Sequence, residues 1–161
     1  MQAQGRAMVE PRFEGKLCVE WLHDNGADRR IRLLHDLCFV DGRGERWMAR
    51  SGSVIDPAGI PRVLSWPLSD SPFTGACRRA AVMHSAACAG KLRPAREVHR
   101  MFYEALVCEG MDRSQALELY AGVRLFGPDW PAPGAEADDY DLRPQRTIDD
   151  VEAALDAILD D

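Results

Sequence analysis

Long apolar runs are missing from the 161-residue sequence. No stretch approaches the ~18 consecutive apolar residues that a membrane-crossing helix needs. Residues 1–10 also lack the apolar centre of a secretory signal. We therefore expect a cytoplasmic protein without a membrane partner.

Lysine is nearly absent, because Lys16 and Lys91 are the only lysines among twenty basic residues. The net charge is −6, and residues 136–161 hold ten acids against two bases, which leaves +2 for residues 1–135. Nucleic-acid binding needs a clustered basic face on a positively charged domain. We therefore expect no nucleic-acid partner and a distinctly acidic C-terminal region.

Cysteines are few and irregularly placed. Their number, five, is odd, and they lack the short repeated spacings of a disulfide framework or a zinc ribbon. They are Cys18, Cys38, Cys77, Cys88 and Cys108. We expect these thiols to be reduced.

The arrangement of apolar residues predicts an α+β fold. Residues 17–21, 30–40 and 45–50 have strand character and are separated by turn residues, which indicates an N-terminal antiparallel sheet. Residues 51–75 are rich in proline but also in large apolar side chains, so we expect an ordered loop packed on the core. A cluster of three helices follows, at residues 76–89, 94–110 and 112–126.

Three segments are expected along the chain. Residues 12–128 should form a single domain, and residues 129–146 an acidic, proline-rich linker. Residues 147–161 should form an acidic amphipathic helix, whose apolar positions recur at helical spacing. This apolar stripe could fold back on its own domain, contact a second copy, or bind another protein.

Cysteine and histidine residues in the first predicted helix could form a metal site. Cys77, His84 and Cys88 are spaced seven and four residues apart, which places them on one helix face. With His99 on the next helix they offer two thiolates and two imidazoles, the ligand types of tetrahedral zinc. Alternatively, the cysteines are small buried residues at a helix contact, and His84 is a core histidine bonded to a backbone carbonyl.

Four segments of the chain resemble a phage- and prophage-associated family, domain of unknown function 1353. They are Ile55–Arg62, Arg79–His84, Phe102–Leu106 and Leu119–Gly127. The resemblance, which includes the order of the preceding strands, extends over about four fifths of the chain and implies a related fold, of which this chain is a divergent member.

The divergence from this family concerns its polar positions. The family usually has Thr-Asp-Gly-Ala-Ser-Ile-Pro where this chain keeps only Asp56 of the polar residues. It usually has Asp directly after the histidine, where Ser85 stands here, and another Asp fifteen residues after the histidine, where His99 stands here. The resemblance thus implies a polar site reduced to Asp56, His84 and His99. Asp56 could equally be a turn-forming residue.

Two hypotheses for function follow. The first is a phage- or prophage-derived accessory or interaction protein with a degenerate family site, binding a protein partner or a second copy through its C-terminal helix. The alternative is a metal-dependent hydrolase that uses Asp56, His84 and His99 as ligands or acid–base groups, with a divalent metal as cofactor. The sequence leaves open whether the protein is an enzyme.

Overall fold

The computed structural model describes residues 7–22, 30–61, 73–134 and 148–160. Within these residues, the N-terminal part contains six short strands. They are β1 (Arg12–Glu14), β2 (Val19–Trp21), β3 (Ile31–Leu33), β4 (Leu37–Val40), β5 (Arg46–Ala49) and β6 (Val54–Ile55). The helices are α1 (Arg78–Gly90), α2 (Ala95–Cys108), α3 (Arg113–Phe126) and α4 (Ile148–Leu159). The predicted α+β class is confirmed.

The strands form two antiparallel sheets rather than the single predicted sheet. Their orders are β1-β4-β5 and β2-β3-β6. The segment predicted as one strand, residues 30–40, passes from one sheet to the other at Leu34–Asp36, all three of which are exposed. Asp36 accepts a hydrogen bond from the backbone N–H of Ser51, which fixes this crossing. Apolar spacing could not reveal it, because Leu33 and Leu37 are buried in either arrangement.

The loop predicted at residues 51–75 is only partly described. It begins with β6 and a single 3₁₀ turn, Pro57–Gly59, which packs against α1. A β-carbon at Gly59 would lie 3.3 Å from Cα of Ser85 and 3.4 Å from Sγ of Cys88, so glycine permits this close approach. Residues 62–72 lie outside the described residues.

The helices pack in sequence order, α1 on α2 and α2 on α3. The side chain of Asp112 accepts a hydrogen bond from the backbone N–H of Ser114 and so caps α3. Helix α2 lies at the centre, and its apolar stripe is fully buried. The residues of this stripe are Val98, Met101, Phe102, Ala105 and Leu106.

Helix α4 folds back on its own domain, one of the three possibilities that its apolar stripe left open. It packs on α3, and Ile158 is only 7% exposed. Of the predicted linker, residues 135–146 lie outside the described residues. The predicted domain boundaries stay a prediction. Among the helices described, none is long and apolar enough to cross a membrane.

Candidate functional site

His84 and His99 meet where α1 packs on α2. Both side chains are buried, with 0% and 1% exposure. Nε2 of His84 lies 2.9 Å from Nδ1 of His99, a normal hydrogen-bond distance. The structure therefore brings together two of the three residues in the polar set that the family resemblance implies. We call them the histidine pair.

The backbone carbonyl of Pro128 fixes one proton position of the histidine pair. This carbonyl lies 3.0 Å from Nε2 of His99 and can only accept, so Nε2 carries the proton. The proton between Nε2 of His84 and Nδ1 of His99 belongs to one ring or the other according to the tautomer and charge of the pair. Sγ of Cys88 lies 3.7 Å from Nε2 and 3.9 Å from Nδ1 of His84, so it contacts both ring nitrogens about equally. His84, His99 and the carbonyl of Pro128 are therefore connected in series inside the core.

Burial disfavours the charged forms of His84 and Cys88. Burial lowers the pKa of His84 well below its usual value of 6.5, and the neighbouring His99 lowers it further. Burial raises the pKa of the Cys88 thiol to about 12, so this cysteine is protonated at neutral pH. Because the nucleophilic form of cysteine is the thiolate, Cys88 is unreactive in this environment.

Aromatic rings enclose the histidine pair. The ring of Phe102 lies 4.4 Å from that of His84, centroid to centroid, and Trp130 approaches His99 edge-on at 6.2 Å. Trp130 is itself fixed, because its Nε1–H donates to the carbonyl of Arg93 at 2.7 Å. The sequence prediction placed Trp130 in the linker, where a lone tryptophan among prolines was the only signal of its packing role.

The other predicted site residues lie apart from the pair. Asp56 is exposed, at the start of the turn that covers α1. Cys77 lies at the N-terminal end of α1, near Glu109, and its seven-residue separation from His84 corresponds to about 10 Å along a helix. That separation is too long for two ligands of one zinc ion at ~2 Å bonds.

The side chains predicted to bind zinc are not grouped together in the structure. Among the described residues, no three or more His, Cys, Asp or Glu side chains are grouped so that they could hold a metal ion. The predicted set of Cys77, His84, Cys88 and His99 is therefore not assembled, because helical spacing places Cys77 on the same face but two turns away. Ser85, which stands at a family aspartate position, is buried, and its hydroxyl has no hydrogen-bond partner within the described part of the chain.

A groove that sequence reasoning missed lies on the other side of α1. It has a volume of about 720 Å³ and is bounded by β5, by β6 and by the C-terminal half of α1. We call it the β5/β6 groove. Neither histidine of the pair lines it, nor does either line a second cavity of about 430 Å³ between α2 and the N-terminal segment. No local sequence signal marks this groove, because its walls come from different sheets.

The β5/β6 groove has a basic rim and an apolar interior. Its described lining includes three arginines and no aspartate or glutamate. Each arginine has an ion-pair partner outside the groove. The pairs are Arg46–Glu14 at 2.8 Å, Arg50–Asp36 at 3.3 Å and Arg93–Glu45 at 3.4 Å. The apolar side chains of Met48, Val54 and Leu92 are 38%, 43% and 84% exposed there.

Comparison with known proteins identifies relatives whose activities are not characterised. An uncharacterized protein of Sinorhizobium fredii (strain NBRC 101917 / NGR234), y4jT, is 32% identical over 71% of this chain and 34% of its own length. A second, y4iH, from the same organism, is 35% identical over 68% of this chain and 46% of its own length. The chain thus spans about a third to a half of these relatives. No solved structure matches it.

The match to a family model coincides with the region that carries the histidine pair. It extends over residues 31–123, from β3 to the last turns of α3. Both histidines and the turn that follows Asp56 lie inside it, whereas Pro128, Trp130 and α4 lie beyond its end. This chain belongs to the family described as protein of unknown function (DUF1353).

Proposed function

We propose that this chain is an accessory or interaction protein of phage or prophage origin, in which the polar site of the family has become part of the hydrophobic core. The enclosed histidine pair carries this proposal. A general acid or base must reach the proton that it transfers, directly or through one water. The nitrogens of the pair instead bond to each other, to Pro128 and to Cys88, inside the core.

Two surfaces are available for a partner. The first is the β5/β6 groove, where apolar side chains remain exposed. The second is the outer face of α4, where Asp149, Glu152 and Asp156 are exposed while Ile158 is buried against the domain. Binding of a protein partner or of a second copy through α4 is part of the same proposal.

The alternative, a metal-dependent hydrolase that uses Asp56, His84 and His99, has weaker support. Asp56 is exposed and both histidines are buried, so a shared ion would need the turn over α1 to move. Burial also disfavours the protonated form of His84, which a general acid would need.

Site-specific photo-crosslinking in the cells that encode the protein tests the interaction function. The crosslinking residue p-benzoylphenylalanine replaces Leu92 at the groove, Leu159 on α4, or Glu118 on the exposed side of α3 as a control. We expect a discrete adduct from Leu92 or Leu159 and none from Glu118. The adduct is then identified, and its binding to the purified protein is measured by calorimetry.

Two outcomes would contradict the proposal. One is the absence of a specific adduct at both Leu92 and Leu159, together with a monomer in solution. The other is a hydrolytic activity of the purified protein that is lost in the conservative variant His84→Gln while the fold is kept. Phage or prophage origin is tested separately by whether the neighbouring genes encode virion or lysis proteins.

A further inference from the structure

We propose that the β5/β6 groove binds an extended acidic peptide segment of a partner protein, which pairs as an additional strand with the open edge of β5. This inference rests on the proposed function, because it names the class of partner that an interaction protein with this groove would bind. Three features support it: the open edge of β5, the shape of the groove and the charge of the groove.

Strand β5 has an open edge. It pairs with β4 on one side and, among the described strands, with no other. The backbone N–H of Asp41 donates to the carbonyl of Glu45, and hydrogen-bonded pairs alternate along an antiparallel ladder. Phe39–Trp47 and Leu37–Ala49 are therefore the hydrogen-bonded pairs. The N–H and C=O of Met48 consequently point away from β4, toward the groove.

A contact at the start of β5 supports this orientation. The carbonyl of Arg46, two residues before Met48, accepts a hydrogen bond from the guanidinium of Arg93 at 3.3 Å. Arg93 also stacks over the ring of Trp47 at 4.3 Å. Arg46 and Met48, alternate residues of β5, thus present their backbone N–H and C=O groups to the groove side. An added strand would form hydrogen bonds with these groups.

The shape of the groove suits an extended chain. One wall is β5, and the other is β6, the edge strand of the second sheet. The floor is the surface of α1 at Ala86, Ala87 and Gly90, where small residues leave depth for side chains of an inserted strand. Apolar residues that alternate on such a strand could contact Met48 and Val54, which are partly exposed.

The charge of the groove favours acidic side chains on the partner. Arg46, Arg50 and Arg93 line it, and aspartate and glutamate are absent from its described lining. The existing ion pairs of Arg46 and Arg50 are solvent-exposed, with arginine side-chain exposures of 55% and 69%. Exposed pairs contribute little to stability, so these arginines can turn toward a bound carboxylate at low cost.

Selection from an unbiased peptide library tests the inference. Displayed random peptides of about ten residues, a length that covers most strands, are selected on the immobilised full-length chain. Counter-selection uses Ala87→Trp, in which the indole fills the floor of the groove. We expect enrichment of peptides that combine Asp or Glu with alternating β-branched residues. The affinity of the most enriched peptide is then measured by fluorescence polarisation.

Matched variants distinguish the contribution of the arginine charges to peptide binding from that of the backbone hydrogen bonds of β5. Arg46→Gln combined with Arg50→Gln should weaken binding about tenfold, whereas Arg32→Gln, an exposed arginine on β3 outside the groove, should leave it unchanged. Met48→Pro removes the N–H that faces the open edge and should weaken binding about tenfold relative to Met48→Ala. N-methylation of alternate peptide residues tests the same hydrogen bonds without any change to the protein.

Several results would overturn the inference. These are no enrichment over the Ala87→Trp variant, enrichment of basic or purely apolar peptides, or binding that is insensitive to both Met48→Pro and N-methylation. The proposed function survives such results if the photo-crosslinker on α4 still yields a partner. It fails by itself if neither surface yields one.

Discussion

The two faces of α1 differ in polarity and access. One face carries His84 and Cys88, buried against α2 and the Pro57–Gly59 turn. The other carries Ala86, Ala87 and Gly90 and opens onto the β5/β6 groove. His84 and Cys88 therefore lie in the core, and the accessible groove has small and apolar residues between its arginines. This separation supports the proposed role in recognition.

The core tolerates the histidine pair because both rings have hydrogen-bond partners. A buried polar group without a hydrogen bond costs about 1–3 kcal/mol, whereas a satisfied one is close to neutral or mildly favourable. His84 and His99 bond to each other, and Nε2–H of His99 donates to the carbonyl of Pro128. We infer that the pair now contributes to stability, and the following predictions test this difference between the two faces.

The largest effect is expected from His99→Ala. It removes the hydrogen-bond partner of His84 and the donor to Pro128 and leaves a cavity, so we expect a loss of about 3–5 kcal/mol in the free energy of unfolding. His35→Ala, at an exposed histidine, should change it by less than about 0.5 kcal/mol. Urea denaturation at neutral pH measures both. Equal effects of the two variants would show that the pair is not a structural element.

The second effect is on the pH dependence of stability. The pKa of His84 is lowered in the folded state, so the unfolded state binds more protons below the usual value of 6.5. The contribution of His84 is therefore present above that pH and is lost as the pH falls toward the folded-state pKa. The slope should be at most about 1.4 kcal/mol per pH unit.

Urea denaturation at about pH 7.5 and about pH 5.5, on either side of the usual histidine pKa, compares the wild type with His84→Gln. Glutamine keeps a donor to His99 but does not titrate. The stability of the wild type should therefore fall more over this interval than that of the variant. Parallel falls in the two proteins would contradict the lowered pKa.

A smaller loss of stability is expected from a change at Trp130, which lies between the histidine pair and the β5/β6 groove. Trp130 packs on His99 and donates to the carbonyl of Arg93, whose side chain lines the groove. Trp130→Phe keeps most of the ring but removes the donor, so we expect a loss of about 0.5–1.5 kcal/mol. Thermal unfolding measures it. A loss as large as that of His99→Ala would mean that the indole, rather than the histidines, holds this junction together.

The smallest change in stability is expected on the groove side of α1. Leu92 is 84% exposed at the groove, so Leu92→Ala should change the free energy of unfolding by less than about 0.5 kcal/mol. The same denaturation series provides the comparison. A substantial loss would show that the groove side of α1 also contributes to the core.

The predictions for the helices succeeded where local signals were strong. Helix α1 begins and ends within two residues of the prediction, and α3 within one. Such helices can be recognised in a sequence because a helix repeats its faces every three to four residues. The division of the strands into two sheets was not visible, since strand pairing depends on contacts between distant residues.

The sequence singled out His84 and His99 as candidate site residues, but it did not indicate that the two rings bond to each other. Their meeting requires α1 to pack on α2, and their tautomers require Pro128, which lies beyond α3. Asp56, a residue of the same family pattern, is on the surface instead. The family resemblance therefore singled out these three residues as a set. The packing of α1 on α2 decides that His84 and His99 are in contact.

The sequence alone determined the α+β class, the helical segments, the family resemblance and the acidic C-terminal region, because each depends on composition or on spacing between near neighbours. Only the tertiary structure decided that the two histidines are buried against each other, that α4 packs on its own domain, and that an arginine-rimmed groove opens beside β5. Each of these depends on burial and on contacts between segments far apart in the chain.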